Sequence, residues 1–228
     1  RNLDRAQHLE GLNQPAVRYQ TFPLDDSDGT TRTMDCNYGM GDTPGDIANV
    51  DAYTPHIAEG INLEAQNEFQ CLSGAAAGAV DLVTRKTALI HGVGLEPQEF
   101  GTMATVGASL IWSPRSNIDL YGNTALVTTA RRMGVRIALG TDWVATGSIN
   151  MLRELRCADD YNRLFLAGAF SDRDLVDMAT IAAAEALASD DLIGSLRAGR
   201  QADVSIFDGR SNRGYRAVLD AEPDDVVL

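Results

Sequence analysis

A chain of 228 residues that is 44% hydrophobic and 22% charged has enough apolar material for one or two packed domains and shows no signature of disorder. Its formal net charge of -13 leaves no basic stripe to neutralise a phosphate backbone, which excludes nucleic acid as an expected partner. No apolar stretch approaches the roughly 20 residues of a membrane span, and the opening RNLDRAQHLEGLNQP resembles neither a signal peptide nor a transit peptide. The expectation is a soluble acidic protein of the cytoplasm, with export as the open alternative. The chain does not begin with Met, which points to a start that is missing or processed.

In chain order, His8 in AQHLEG is isolated and expected on a surface helix. Apolar runs of strand length follow at 17–22 (VRYQTF), 52–58 (AYTPHIA), 87–93 (TALIHGV), 108–113 (ASLIWS) and 135–141 (VRIALGT). Residues 24–50 form a long polar loop rich in Gly and Asp, of the kind that often carries function or mobility. Stretches of helical period separate the runs: INLEAQNEFQCL after the second, EPQEFGTMATVG after the third, and LYGNTALVTTARRMG after the fourth, closing on Gly134 as a C-terminal cap. After the fifth run, SINMLRELRCADDYNRLFL places Met151, Leu152, Leu155, Ala158 and Phe165 near one face. Ser171-Asp172-Arg173-Asp174 resembles a capping box opening a helix through Leu187. Residues 193–209, IGSLRAGRQADVSIFDG, read as two short strands around a Gly-containing turn, so a domain boundary is placed near residue 190.

Strand and helix alternating in this way predict parallel strands with crossovers, hence an α/β fold. The three cysteines, Cys36, Cys71 and Cys157, lack CxxC spacing. Reduced, buried cysteines are the favoured reading, and one disulfide with a spare thiol is the alternative.

Only three histidines occur, and His56 and His91 both sit late in apolar strands, while VRIALGTDW ends a strand on Asp142. A lone strand histidine is usually a hydrogen-bonded core residue. In a parallel sheet, however, the C-terminal strand ends share one face, so His56, Glu59, His91, Ser113 and Asp142 could converge. Imidazole nitrogen together with carboxylate oxygen suits Zn or Fe(II). Competing motifs fail: GMGDTPG misplaces the third glycine of a dinucleotide fingerprint, and no GxxxxGK[ST], GxSxG or HExxH is present.

HIAEG at 56–60, ALIHGVGL at 88–95, WSPRSN at 112–117, ALGTDW at 138–143 and IGSLRAGRQADVSIFD at 193–208 resemble, in order and spacing, motifs of the amidohydrolase superfamily. The likeness is greatest to its aminohydrolase, chlorohydrolase and cytosine-deaminase-like branch and covers about residues 50–228. It implies the C-terminal half of a metal-dependent (β/α)8 TIM barrel over 1–189 (about strands four to eight), with 190–228 a segment of an accessory β-sandwich domain. By this resemblance His56 and Asp142 bind the metal, Asp142 takes the proton of the attacking water, and Glu59 shuttles a proton to the substrate nitrogen. His91 orients water or substrate, or binds a second metal in binuclear members. Ser113, Arg115, Asn117 and Trp143 shape the substrate pocket, with Arg115 pairing either with a substrate anion or with a neighbouring carboxylate.

The implied cofactor is one divalent metal, Zn or Fe. The family's strand-one HxH pair occurs nowhere in this sequence, so the expected partner is the remaining half of the barrel, with a homo-oligomer also open. The reading that follows is a hydrolase of non-peptide carbon–nitrogen bonds acting on a small molecule, of deaminase or cyclic-amidase type. The alternatives are a carbon–halogen hydrolase on the same site, or a non-catalytic barrel fragment.

Overall fold

The computed structural model describes residues 17–26, 28–39 and 41–227; His8 lies outside them. Five strands form where the apolar runs predict them: β1 (Arg18–Gln20), β2 (Tyr53–Ile57), β3 (Ala88–His91), β4 (Ser109–Trp112) and β5 (Arg136–Leu139). They make one sheet in the order β1-β2-β3-β4-β5, and every pair is parallel. Parallel neighbours need long crossovers, and helices supply them. Parallel direction throughout brings all the C-terminal strand ends to one side of the sheet.

After α1 (Pro44–Ala48) comes α2 (Leu63–Leu72), opened by the Asn62 side chain accepting from the Ala65 N–H. The helix α3 (Pro97–Val106) ends at Gly107, whose φ of 79° is the left-handed cap a side chain would resist. The segment LYGNTALVTTARRMG, expected as one helix, is divided. The first part belongs to α4 (Pro114–Tyr121), which stops at Gly122 with φ 63°, and the second is α5 (Val127–Met133), which stops at Gly134 with φ 86°. Two left-handed glycines punctuate the stretch where only the second was expected.

The long helix α6 (Met151–Phe165) buries Leu155 and Ala158 as its spacing predicts, but Phe165 is 70% exposed in the last turn, where the helix has passed the edge of the core. The capping box at Ser171 forms and opens α7 (Asp172–Ala179), which breaks at Thr180 before α8 (Ile181–Ala186). Beneath the helices, Tyr53, Ile57, Phe69, Leu89, Phe100, Met103, Leu110 and Trp112 are essentially fully buried. By register the strand residues among these, Tyr53, Ile57, Leu89, Leu110 and Trp112, share one face of the sheet, and Phe69, Phe100 and Met103 of the helices join the same core.

Two expectations are corrected. Among the described residues, 193–206 form no paired strands, and the bridge there is the antiparallel one between Phe207, just beyond, and Val226. Leu196, Val204 and Ile206 are 75%, 44% and 47% exposed. A two-stranded ribbon with no apolar partner layer is marginal in water, so the alternating pattern is present without the packing that would make it a sheet. Further on, α9 (Tyr215–Leu219) docks on α6 and α7, with Arg216 paired to Asp159 and Asp172 and Leu219 buried.

The cysteines are not all reduced. Cys36 and Cys71 form a disulfide across a separation of 35 residues, which ties the polar loop to the buried face of α2. Spacing along the chain could not show this, because the pairing depends on where the loop docks. Cys157 is the free thiol, and burial pushes its pKa up to about 11.

Candidate metal centre

The shared side of the sheet collects the groups that end its strands. His56 lies within β2, His91 is the last residue of β3, and Asp142 follows β5. One nitrogen from each imidazole and one oxygen of the Asp142 carboxylate lie within 4.8 Å of one another. The two rings stand 5.2 Å apart, centroid to centroid. His91 and Asp142 hold φ values of 77° and 55°, and Ala58, just beyond β2, holds 55°. Left-handed backbone costs of order 1–3 kcal/mol at each such residue and persists only where the surroundings enforce it.

The loops after β2 and β3 brace each other. Gly92 and Gly94 donate their N–H groups to Ile57 O at 3.1 Å and Ala58 O at 3.0 Å. A Cβ on Gly94 would come within 2.9 Å of the Gly60 carbonyl oxygen, so glycine is required for this approach.

Each ring is oriented from behind. His56 Nδ1 lies 2.6 Å from the carbonyl oxygen of Gln20. A carbonyl only accepts, so Nδ1 carries the proton and Nε2 keeps its lone pair, the arrangement of a metal-ligating histidine. His91 is fully buried, and its Nδ1 lies 3.0 Å from Asn117 Nδ2. Its Nε2 has no hydrogen-bond partner among the described residues, although Glu59 Oε2 is 3.3 Å away. Burial lowers the His91 pKa to about 4 against the opposing pull of Asp142, so the ring is neutral near pH 7. The lone pair on His56 and the Asp142 carboxylate are donors that fit a divalent ion of the Zn or Fe(II) kind, and the unpartnered buried His91 nitrogen faces the same space.

Glu59 leans into this cluster. Its Oε1 accepts from the Tyr121 hydroxyl at 3.1 Å, and burial raises its pKa above the ordinary carboxylate value. Its own burial, and then the same contact, raise the Tyr121 pKa. Behind it, Glu68 Oε2 accepts the Ala58 N–H at 2.7 Å and so holds the strained turn, while burial raises the Glu68 pKa to about 7.

The native state therefore binds the Glu68 proton more tightly than the unfolded chain does. In the metal-free protein stability is greatest below pH about 4.5 with respect to this group and falls as pH rises toward about 7, by no more than about 3 kcal/mol. Glu68→Gln keeps an acceptor for Ala58 and should remove that loss. Urea denaturation of both proteins across the range checks this, and equal pH slopes would contradict it.

The four residues expected to shape the pocket part company. Ser113 follows β4 as the cap residue of α4, with its buried Oγ unpartnered among the described residues. Pro114 starts α4, and Arg115 donates its Nε–H to Ser148 Oγ at 3.0 Å and its backbone N–H to Glu154 Oε1 at 3.2 Å. The guanidinium makes no ion pair with a carboxylate among the described residues. Asn117 is fully buried, with its Nδ2 at 3.0 Å from His91 Nδ1. Trp143 is 71% exposed at the rim. Tyr121 went unread in the sequence; once Pro114 is taken as the first residue of a helix, it falls one turn beyond Asn117 on the same face.

A family model described as the amidohydrolase family matches residues 48–227. The 5-methylthioadenosine/S-adenosylhomocysteine deaminase of Teredinibacter turnerae is 35% identical over 130 residues, which are 56% of this chain and 29% of that protein. The guanine deaminase of Mus musculus is 28% identical over 193 residues, 79% of this chain and 42% of its own. Among solved structures, an adenosine deaminase from Xanthomonas campestris with bound zinc superposes with a TM-score of 0.66 at 25% identity, covering 77% of this chain and 43% of that one. The chain thus spans less than half the length of these relatives.

Proposed function

The chain belongs to the amidohydrolase family, and from that premise we propose that it is the C-terminal part of a metal-dependent hydrolase of non-peptide carbon–nitrogen bonds, of deaminase or cyclic-amidase type, acting on a small molecule. The observation that carries this reading is the meeting of His56, His91 and Asp142 within 4.8 Å, with Glu59 at 3.3 Å from His91. The deaminase relatives support it, because they share the family.

A single divalent ion, zinc or else iron, would supply the Lewis acidity that lets a water lose a proton near neutral pH. His56 would hold that ion through Nε2 and Asp142 through a carboxylate oxygen. Asp142 also takes the proton of the attacking water. Glu59, steadied by Tyr121 on Oε1, turns Oε2 into the site beside His91 Nε2, from where it passes a proton to the departing nitrogen. His91 faces the same space with Nε2 and polarises the atom under attack, and Trp143 at the rim offers an aromatic face to the substrate.

In this reading the five strands are barrel strands four to eight. The two further ligands come from an HxH pair in the preceding half of the barrel, and residues 190–228 are assigned to the accessory domain, with α9 docked back on α6 and α7. In the complete protein, elemental analysis should find about one equivalent of metal, and His56→Ala should weaken metal affinity by about 10²-fold or more. Metal-free wild-type protein after supplementation with zinc and iron would end the enzymatic reading in favour of a barrel fragment.

A further inference from the structure

Behind His91 runs a chain of three hydrogen bonds into the core. The Trp112 indole Nε1 lies 2.7 Å from Thr124 Oγ1, Thr124 Oγ1 lies 3.1 Å from Asn117 Oδ1, and Asn117 Nδ2 lies 3.0 Å from His91 Nδ1. Trp112 and Asn117 are fully buried and Thr124 is 2% exposed, so none of these groups turns to solvent for an alternative partner. An indole nitrogen can only donate. Thr124 therefore accepts from Trp112, and its own proton has one acceptor among the described residues, Asn117 Oδ1. With the amide reversed, Thr124 would accept twice and leave its buried proton unbonded, at the cost of an unsatisfied polar group. The amide thus presents its N–H₂ to His91, and Nδ1 of that ring is an acceptor.

We propose that Trp112, Thr124 and Asn117 are positioning residues that lock His91 in the tautomer with its proton on Nε2. The two histidines of the centre are then built in opposite senses. His56 donates from Nδ1 to Gln20 and keeps a ligating lone pair, whereas His91 accepts at Nδ1 and faces the site as a donor. Distance alone admits His91 as a third ligand; a protonated Nε2 has no lone pair for a metal and is suited to donate to a substrate atom. Only what the Nε2 proton is used for rests on the function proposed above. The tautomer itself does not.

The test is a long-range ¹H–¹⁵N correlation spectrum of the complete protein with labelled imidazoles near neutral pH, recorded metal-free and zinc-loaded. The relay requires His91 protonated on Nε2 in the wild type and in Thr124→Ser, which keeps the hydroxyl. In Asn117→Asp the carboxylate can only accept, so the proton should move to Nδ1, with kcat lowered by about 10²-fold and KM little changed. A wild-type proton on Nδ1 overturns the proposal even if the variants fail to fold, and so does Asn117→Asp with its proton still on Nε2. A tautomer that behaves as stated in a protein inert toward every amino-heterocycle and cyclic amide tried upholds the relay and removes the proposed function.

Discussion

Asp142→Asn in the complete protein should lower kcat by about 10³-fold or more, because in the proposed reaction it removes both a charged metal-binding oxygen and the group that takes the proton of the attacking water. The substitution is a clean one. Asn is nearly isosteric, and Asp142 holds φ 55°, a left-handed conformation that Asn tolerates better than other non-glycine residues. The fold should therefore survive, and thermal unfolding of metal-free wild type and variant should differ little. Near-normal turnover at unchanged metal content would show that the carboxylate is only the turn residue its Gly-Thr-Asp context also allows.

Glu59→Gln should cost about 10²- to 10⁴-fold in kcat, the usual range for losing a general acid–base group. Here too the geometry isolates the effect, since a glutamine Oε1 can still accept from the Tyr121 hydroxyl that holds the side chain. Burial raises the pKa of Glu59, so its proton is lost at higher pH than from an ordinary carboxylate. In the wild type the pH–rate profile should carry a limb from this group, and in Glu59→Gln that limb should vanish. A variant that keeps both the rate and the limb would remove Glu59 from the chemistry and leave it a brace for Tyr121.

Much of this centre is legible in the chain because its parts are strand-terminal. Apolar runs at 52–58, 87–93 and 135–141 locate His56, His91 and Asp142, and the parallel sheet does the rest by bringing their C-terminal ends to one side. The supporting shell was not legible, for a physical reason. Gln20 contributes a backbone carbonyl, which no sequence pattern marks, and Thr124 acts from a turn whose path depends on the left-handed Gly122 dividing α4 from α5. For Asn117 the sequence shows neither its full burial nor its hydrogen-bond distance to the histidine, because both follow from how α4 packs. The Cys36–Cys71 pairing and the unpaired 193–206 segment fail to show in the sequence for a related reason: both depend on what packs against them rather than on their own spacing.

The chain has two tryptophans, and they lie at opposite extremes of solvent contact: Trp112 is wholly enclosed beside Tyr161 and Phe170, and Trp143 is 71% exposed at the rim. Their fluorescence therefore separates into two optical reporters. Iodide should quench the red-edge emission of Trp143 and leave the blue emission of Trp112, so a ligand entering the site would be seen as protection of the first. A disturbance of the hydrogen-bonded core would be seen as a red shift of the second, and each signal could be followed in one cuvette without a label.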